Sequence, residues 1–153
     1  MNTPIPQRIT MKVRRTRRSS NPLPRYHSEH AAGMDLAADI DEPMTLHSLE
    51  RVAIATGIAI EIPPGYEGQV RPRSGRAFKD GLALANSPGT IDADYRGEIR
   101  VILVNLGAAP LTIKPGERIA QLVIAPVVRA ELVETEELEE SGRAEGGFGH
   151  TGR

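Results

Sequence analysis

The most regular hydrophobic pattern in the chain runs from residue 52 to residue 62. Every second position carries a β-branched residue, namely Val52, Ile54, Thr56, Ile58, Ile60 and Ile62. The positions between them hold alanine, glycine and one glutamate. A period of two is that of a β-strand, whose successive side chains point to opposite faces. The pattern predicts one strand or a pair of strands, with the β-branched face buried and the small residues outward.

A second alternation lies near the start of the chain, in residues 8–14. Ile9, Met11 and Val13 fall on one side, with polar residues between them. This pattern predicts another half-buried strand.

Two later segments have the character of buried strands. Residues 97–106, GEIRVILVNL, are apolar on both faces, which predicts a strand covered on both sides. Residues 114–128, KPGERIAQLVIAPVV, predict a turn followed by a further buried strand. The one helix expected is a short one near residues 75–80.

Turn-forming residues divide the chain at short intervals, with 15 glycines and 12 prolines among 153 residues. Aromatic residues make up only 3% of the sequence, so the core must be built from Val, Ile, Leu and Ala. Many short strands with even turn spacing are typical of sandwiches and barrels. We therefore expect an all-β, jelly-roll-like distorted barrel or sandwich.

The length fits one domain, which we place at residues 1–130. The glutamate-rich stretch ELVETEELEE at 131–140 is typical of solvated or extended chain, and we interpret residues 131–141 as a linker. Residues 142–153, GRAEGGFGHTGR, hold five glycines and one phenylalanine. This composition predicts a flexible arm that closes over a ligand.

Charge and cysteine content exclude several classes of protein. The 19 basic and 20 acidic side chains leave a formal charge of −1, so there is no overall attraction to nucleic acid or membrane. The chain has no cysteine, and its four histidines lack zinc-ligand spacing. No apolar run approaches the roughly 20 residues of a membrane helix, and no signal-peptide stretch is present. We expect a soluble, cytoplasmic protein with no membrane partner.

The N-terminal segment is locally basic. Seven basic side chains lie in residues 8–25, and the first acidic residue is Glu29. An organelle presequence and a nucleic-acid-binding arm are therefore alternatives, although Pro4 and Pro6 disfavour the helix of a presequence. We favour a solvated edge strand and loop, and we do not expect nucleic acid as a partner.

Two segments carry residue types that bind phosphate. RPRSGRA at 71–77 combines a cation, a hydroxyl and a permissive backbone in Arg73, Ser74 and Gly75, and GGFGHTG at 146–152 surrounds Phe148 with glycines. Glycine lets backbone N–H groups converge on an anion, and arginine adds a bidentate charge. Each segment alone is also compatible with a surface loop.

A third segment, NSPGTIDADYRGEI at 86–99, combines a turn with acidic residues. Ser-Pro-Gly at 87–89 predicts a tight hairpin turn, and Asp92 and Asp94 flank an alanine beside Tyr95. Acidic loop residues are most often turn formers or caps, and a lone tyrosine is most often a core residue. This segment alone does not define a chemistry.

Taken in order along the chain, five segments resemble the five motifs of the trimeric deoxyuridine triphosphate nucleotidohydrolase (dUTPase) family. They are AAGMDLAA (31–38), RPRSG (71–75), NSPGTIDADYRGEI (86–99), GERIAQLVI (116–124) and RAEGGFGHTG (143–152). Five ordered motifs are far more specific than any one of them. The resemblance implies a Mg²⁺-assisted enzyme that hydrolyses dUTP to dUMP and pyrophosphate, and a homotrimer whose active sites are shared between subunits.

For the nucleoside, the resemblance implies contacts from the third motif. Asn86, with main-chain groups of Thr90, Ile91 and Arg100, would read the polar edge of uracil. Tyr95 would pack beneath the deoxyribose and exclude a ribose 2′-hydroxyl.

The same motif contains two carboxylates with different implied roles. Asp92 would orient and deprotonate the attacking water, because an ionised carboxylate is an available base near neutral pH. Asp94 would brace the hairpin.

For the triphosphate, the resemblance implies that Arg73, Ser74 and Gly75 hold the α- and β-phosphates. Gln121 would donate to phosphate or water. The triphosphate itself would hold most of the Mg²⁺ coordination, because this ion keeps several waters. Asp35 would either contact the metal through water or act as a structural hydrogen-bond acceptor.

The terminal arm is implied to order over the bound nucleotide. Phe148 would stack on uracil, while Arg143, Gly149, His150 and Thr151 would meet the phosphates. Closure of such an arm would exclude bulk water.

Two alternatives stay open at this point. A dCTP deaminase has a similar fold, but it lacks the full glycine-rich closing motif and needs a glutamate-based site, so residues 143–152 argue against it. The other is a non-catalytic trimer that binds nucleotide, or nucleic acid through residues 8–25.

Overall fold

A computed structural model describes residues 8–142 and residue 145. The described residues form eleven β-strands and one short helix. The strands are β1 (Lys12–Arg15), β2 (Gly33–Ala37), β3 (Met44–Leu46), β4 (Arg51–Ala55), β5 (Ile58–Glu61), β6 (Tyr66–Arg71), β7 (Leu82–Leu84), β8 (Gly89–Ile91), β9 (Arg100–Asn105), β10 (Leu111–Ile113) and β11 (Arg118–Pro126). The helix, α1 (Ser74–Asp80), lies between β6 and β7. The predicted all-β class and the predicted short helix are both confirmed.

Antiparallel pairing joins these strands into four small sheets. The largest has the order β2-β11-β6-β8, the next has the order β4-β9-β7, and two pairs are β1-β5 and β10-β3. The last strand thus lies beside one of the first, so segments distant in sequence close the fold. This arrangement is the jelly-roll-like fold that the turn spacing predicts.

The core is aliphatic, as the low aromatic content requires. The largest fully buried apolar side chains are Leu36, Leu46, Ile54, Ile62, Ile99, Val101, Leu103, Ile113, Ile119 and Leu122. Among polar residues, Asn105 is fully buried, and its amide donates to the carbonyls of Leu46 and Ala109 at 2.9 Å each. A buried polar group with its hydrogen bonds satisfied does not destabilise the core.

The alternating segment at 52–62 forms a pair of strands, β4 and β5. The break comes at Gly57, whose φ of 72° is in the left-handed region that glycine tolerates best. The prediction that the small residues face outward is wrong at Ala59, which is 4% exposed. β5 is enclosed on both faces and buries three successive residues, whereas β4 keeps exposed residues at Arg51 and Ala53.

The first strand is shorter and more exposed than its pattern predicts. It begins at Lys12, and all four of its residues are exposed. β1 pairs with β5 alone among the described strands, so Val13 keeps 40% of its surface exposed, and Met11 is the residue that packs against the core. Half-burial is therefore wrong for this strand, and the solvated edge strand is confirmed.

β9 is covered on one face within the described chain, although its sequence predicts cover on both. Val101, Leu103 and Asn105 are fully buried, but Arg100 and Ile102 are exposed on the other face. The exposed face is apolar at Ile102, which is why the alternation is hard to read from the sequence.

The chain bends at residues 85–88, but the predicted hairpin is wrong. β7 before the bend pairs with β9, and β8 after it pairs with β6. The bend therefore carries the chain from one sheet to another, through a cis peptide bond between Ser87 and Pro88. β8 is one of the two edge strands of the four-stranded sheet.

Helix α1 is brief because glycine ends it. Gly81 has a φ of 75°, and its N–H donates to the carbonyl of Ala77 at 3.1 Å. With seven residues, α1 is far shorter than a membrane-spanning helix, and no other helix occurs in the described part of the chain.

Candidate functional site

One face of the four-stranded sheet carries a row of polar side chains. Asp35 of β2 lies opposite Gln121 of β11, which lies opposite Arg71 of β6. Because side chains alternate along a strand and the adjacent Leu122 and Val70 are buried, this row points away from the core. The sheet therefore presents a carboxylate, an amide and a guanidinium together on its outer face.

Asp35 is held by positively charged neighbours. Its Oδ1 lies 3.1 Å from Nε of Arg73, and its Oδ2 lies 3.0 Å from Nη1 of Arg118. Nε2 of His27 is 3.5 Å from the same Oδ2. The Asp35 side chain is only 18% exposed. Both carboxylate oxygens are thus engaged by arginines, and the cluster keeps an excess of positive charge that suits an anion.

Gln121 has a fixed place beside this cluster. Its Nε2 donates to the carbonyl of Pro72 at 3.1 Å. A side chain at Gly33 would have its Cβ 2.5 Å from Oε1 of Gln121, so the amide can keep its present position only beside a glycine. The glycine of AAGMDLAA therefore serves the site through packing.

An open cleft of about 480 Å³, here called the Arg73 cleft, lies over these residues. Its lining consists of Asp35, Arg73, Ser74, Gly75, Arg76, Lys79 and Gln121. Ser74 and Gly75 are exposed at the start of α1, and a Cβ at Gly75 would contact nothing within 4 Å. The structure thus brings together all five described residues that were predicted for the triphosphate and its metal.

Arg76 also lines the Arg73 cleft, but its charge is compensated. Its Nε lies 2.6 Å from Oδ2 of Asp80, and its Nη1 pairs with Oε1 of Glu117. These contacts tie α1 to the turn before β11. Arg76 therefore contributes less to the local positive charge than Arg73 does.

A second cleft of about 330 Å³, here called the Tyr95 cleft, opens beside β8. Its lining consists of Ala53, Val70, Asn86, Gly89, Thr90, Ile91, Asp92, Tyr95, Glu98, Arg100 and Ile102. All six residues predicted to bind the nucleoside and activate water are in that set. The residues of the third motif therefore surround one cavity.

The edge position of β8 gives the Tyr95 cleft free main-chain groups. β8 pairs with β6 on one side and with no described strand on the other. An edge strand exposes unpaired N–H and C=O groups. Asn86 lies close to this strand, since a Cβ at Gly89 would be 3.0 Å from its Nδ2. The cleft therefore offers main-chain and amide groups side by side.

Tyr95 is a surface residue, so the core-tyrosine interpretation is wrong. The residue is 45% exposed. Its hydroxyl donates to the carbonyl of Glu98 at 3.0 Å, and the ring lies so close to Gly97 that any side chain there would overlap it. Tyr95 therefore presents a ring of fixed position to the cleft.

The two carboxylates of this motif differ in their surroundings. Asp92 is exposed and lines the Tyr95 cleft, and its carbonyl accepts a hydrogen bond from the Tyr95 N–H at 3.1 Å. Asp94 is exposed, lies outside that cleft, and makes no side-chain hydrogen bond to any residue that the structure describes. The bracing role predicted for Asp94 is therefore wrong for the described chain, because its carboxylate points to solvent.

The Arg73 and Tyr95 clefts share no lining residue. A third and larger cleft of about 1030 Å³ lies on the other side of Asp92, between β1, the Pro63-Pro64-Gly65 turn and Arg129. Within one chain, the two predicted halves of the site are therefore separate cavities.

Sequence reasoning missed three residues at these clefts. Arg118 lies inside the fourth motif and Glu98 inside the third. Each is a charged residue next to a predicted buried strand, and this position is the sequence feature that could have identified them. His27 has no such signal, because only the fold brings it to Asp35.

Several predicted residues lie outside the described part of the chain. They are Arg143, Phe148, Gly149, His150 and Thr151. The described residues contain no group of three or more His, Cys, Asp or Glu side chains arranged to hold a metal. Asp35 fits Mg²⁺ only through bridging water, since its own oxygens already face two guanidinium groups.

Comparison with known proteins agrees with this geometry. A family model described as dUTPase matches residues 19–152. The deoxyuridine 5'-triphosphate nucleotidohydrolase of Anaeromyxobacter sp. (strain Fw109-5) is 59% identical over 147 residues, which are 95% of this chain and 99% of that protein. The enzyme of the same name from Caldanaerobacter subterraneus subsp. tengcongensis is 54% identical over 145 residues, covering 94% and 98%.

Solved structures give the same result. The Staphylococcus bacteriophage 80alpha dUTPase with dUpNHpp superposes with a TM-score of 0.81 at 32% identity, over 94% of this chain and 99% of that one. A mutant dUTPase from phage phi11 of S. aureus, whose structure reveals the coordination of a structural Mg(II) ion, gives a TM-score of 0.76 at 28% identity, over 86% and 100%. From the match over nearly its whole length and from the two clefts that its motifs line, the chain belongs to the dUTPase family.

Proposed function

We propose that this protein hydrolyses dUTP to dUMP and pyrophosphate, which limits uracil in DNA and supplies dUMP for dTMP synthesis. The observation that carries the proposal is the sorting of the predicted residues into two clefts. Those assigned to the triphosphate line the Arg73 cleft, and those assigned to the nucleoside line the Tyr95 cleft.

Uracil is read in the Tyr95 cleft by the edge of β8. Main-chain groups on the unpaired edge of β8, at Thr90 or Ile91, form hydrogen bonds to the polar edge of the ring together with the Asn86 amide, and Arg100 contributes through its main chain. Buried polar groups matched to one ring edge reject rings that leave them unpaired. Backbone packed closely against the ring leaves no room for the methyl group of thymine.

Tyr95 selects the sugar. Its ring is exposed to the cleft and fixed by the hydroxyl hydrogen bond to Glu98. A flat apolar surface beneath the deoxyribose accepts a CH₂ at the 2′ position and excludes a hydroxyl on steric and solvation grounds.

Asp92 activates the water that attacks the α-phosphorus. Its carboxylate is exposed at the mouth of the Tyr95 cleft and makes no hydrogen bond to another described side chain, so it is free to accept one from water. The water oxygen forms the new bond to phosphorus as the bond to the bridging α,β-oxygen breaks. Pyrophosphate leaves with that electron pair, and the proton passes to Asp92.

The Arg73 cleft holds the phosphates. Arg73 supplies a guanidinium, Ser74 a hydroxyl, Gly75 an unobstructed backbone, and Gln121 an amide. Mg²⁺ enters as part of the substrate, bound to the triphosphate, and neutralises charge on the phosphate oxygens. Asp35 orients the arginines and contacts the metal at most through its waters.

The functional unit is a homotrimer in which the two clefts of different chains meet. This arrangement is supported by the lack of any lining residue common to the two clefts, and by the exposed apolar side chain of Ile102 on β9. Residues 143–152 close the joint site, with Phe148 on uracil and with Arg143, Gly149, His150 and Thr151 on the phosphates.

Pyrophosphate release with dUTP, dTTP, dCTP and UTP side by side tests the reaction. We expect turnover of dUTP alone. Release of ammonia from dCTP would contradict the proposal and favour a deaminase.

Complementation between two inactive variants tests the shared site. Co-expression of Arg73→Ala chains with Asp92→Asn chains in equal amounts gives homotrimers and mixed trimers by random assembly, and about one quarter of all sites combine an intact Arg73 cleft with an intact Tyr95 cleft. We expect that fraction of wild-type activity from the mixture and almost none from either variant alone. No recovery in isolated mixed trimers would show that each chain forms its own site.

A further inference from the structure

Residues 16–21, here called the strap, cross the body before the first motif and are attached by side-chain contacts. Arg17 pairs with Asp41 and lies 3.4 Å from Asp39. The Ser19 hydroxyl donates to Oδ1 of Asp39 at 2.7 Å, and the Asn21 amide donates to the carbonyl of Ala38 at 3.1 Å. Arg17, one of the two arginines of the strap, thus helps to attach it to the body.

The positive charge of Arg17 is secured by its two acidic partners. The hydrogen bond to Asp41, with the negative charges of Asp41 and Asp39, raises the pKa of Arg17 above its already high value. The guanidinium therefore stays charged wherever the protein is folded.

Glu98 joins the strap to the body. One oxygen, Oε1, accepts hydrogen bonds from the Thr16 hydroxyl and from the Gly57 N–H, both at 2.9 Å. The Thr16 N–H also donates to the Gly57 carbonyl at 2.9 Å. Strap, Glu98 and the turn between β4 and β5 therefore form one closed set of hydrogen bonds.

The same residue holds Tyr95. The Tyr95 hydroxyl donates to the main-chain carbonyl of Glu98 at 3.0 Å. The next residue, Ile99, is fixed on both sides, since its N–H donates to Ile58 and its carbonyl accepts from the Thr56 hydroxyl at 2.6 Å. Glu98 is thus the link between an N-terminal segment and a ring in the Tyr95 cleft.

We propose that Thr16 and Glu98 are positioning residues for Tyr95, so that the strap sets how strictly the enzyme selects deoxyribose over ribose. This inference rests on the proposed function, in which Tyr95 lies against the sugar. A steric filter against one hydroxyl group depends on the position of the filtering ring, and the ring of Tyr95 is exposed rather than packed in the core. Its position is therefore set by the hydrogen bond to Glu98 and by whatever holds Glu98.

The test compares kcat/KM for dUTP with kcat/KM for UTP in Thr16→Val and Glu98→Ala. Thr16→Val removes one hydrogen bond to Oε1 of Glu98 and Glu98→Ala removes both, while the Tyr95 side chain itself is unchanged. We expect the dUTP-to-UTP ratio to fall about five-fold or more, the effect of losing one hydrogen bond of ordinary strength. Glu98→Gln keeps an accepting oxygen and should lie between wild type and Glu98→Ala.

Matched controls separate this effect from a general loss of stability. Thr45→Val makes the same chemical change at an exposed position on β3 that has no side-chain hydrogen bond to a described residue, and it should leave the ratio unchanged. In a Tyr95→Phe background, which lacks the hydroxyl, Thr16→Val should cause no further change in the ratio, because coupled residues are not additive. If Glu98→Ala does not fold, Thr16→Val still provides the test, because it removes only one hydroxyl group.

Tyr95→Ala shows whether a negative result concerns the positioning role of Thr16 and Glu98 or the sugar contact of Tyr95 itself. If Tyr95→Ala lowers the ratio while Thr16→Val and Glu98→Ala leave it at the wild-type value, the positioning role is overturned. If Tyr95→Ala also leaves the ratio unchanged, the sugar contact assigned to Tyr95 is wrong and the inference falls with it.

Discussion

The Nε of Arg73 lies 3.1 Å from Oδ1 of Asp35, and this pair connects the first motif to the second. Arg118, from the fourth motif, contacts the other carboxylate oxygen at 3.0 Å. One partly buried carboxylate thus holds two guanidinium groups in fixed directions. An arginine held in this way loses less conformational entropy when it binds a phosphate than a free one does.

Replacing Asp35 by asparagine should therefore weaken substrate binding. The amide carries no charge to offset Arg73 and Arg118, so the two cations repel one another and Arg73 loses its orientation. We expect KM for Mg·dUTP to rise about ten-fold or more in steady-state pyrophosphate release, the effect of one charged hydrogen bond. The matched variant Asp94→Asn should keep the wild-type KM, and an unchanged KM in Asp35→Asn would show that Arg73 needs no such support.

Titration with Mg²⁺ separates the two roles considered for Asp35. If Asp35 acts on Arg73 and Arg118, the Mg²⁺ concentration giving half-maximal activity should be the same in wild type and Asp35→Asn at saturating dUTP. A large shift of that midpoint in the variant would instead assign Asp35 to the waters around the metal.

Asp92→Asn should abolish turnover while leaving binding nearly intact. The amide cannot take a proton from water, so we expect kcat to fall by several orders of magnitude with little change in the Kd of a non-hydrolysable analogue. Asp94→Asn lies two residues away, outside the Tyr95 cleft, and should retain activity. Comparable losses in the two variants would remove the distinction between these carboxylates.

A chain ended at Ser141 should fold and assemble but lose most of its activity. The described strands all end by Pro126, so no strand of the body is lost. Without residues 143–152 the site lacks its closing segment, and we expect kcat/KM to drop by about two orders of magnitude or more, since water is no longer excluded. Sedimentation should give a trimer for both chains, and full activity in the shortened chain would contradict the closing role.

Gly57→Ala should destabilise the protein more than Gly65→Ala. Both glycines have positive φ, 72° and 88° respectively, which costs an alanine roughly 1–2 kcal/mol. At position 57 the new Cβ would also overlap the Asp39 carboxylate, whereas at position 65 it meets nothing within 4 Å. Urea unfolding at equal protein concentration should show the larger loss at position 57, and equal losses would mean that Asp39 can move aside.

The sequence pattern was sufficient to predict secondary structure wherever that structure depends on residues close together along the chain. Alternating β-branched residues predicted β4 and β5, Gly81 marks the end of α1 near its expected place, and motif order identified the family. Burial was harder, because it depends on what lies across from a residue. Ala59 is buried because β5 is enclosed on both faces. Val13 is exposed because, among the described strands, β1 pairs with β5 alone.

The chain by itself determined which segments carry residue types suited to phosphate, because charge, hydroxyl and glycine content are local properties, and the order of its motifs identified the family that implies the nucleoside contacts. Only the tertiary structure decided how they are grouped. Asp35 faces Arg118 because β2 pairs with β11, and it faces Arg73 because β6, which precedes Arg73, pairs with the other side of β11. Tyr95 is tied to Thr16 because Glu98 lies where the strap crosses the body. Contacts between residues about 80 positions apart follow from strand register, and no periodicity along the sequence encodes them.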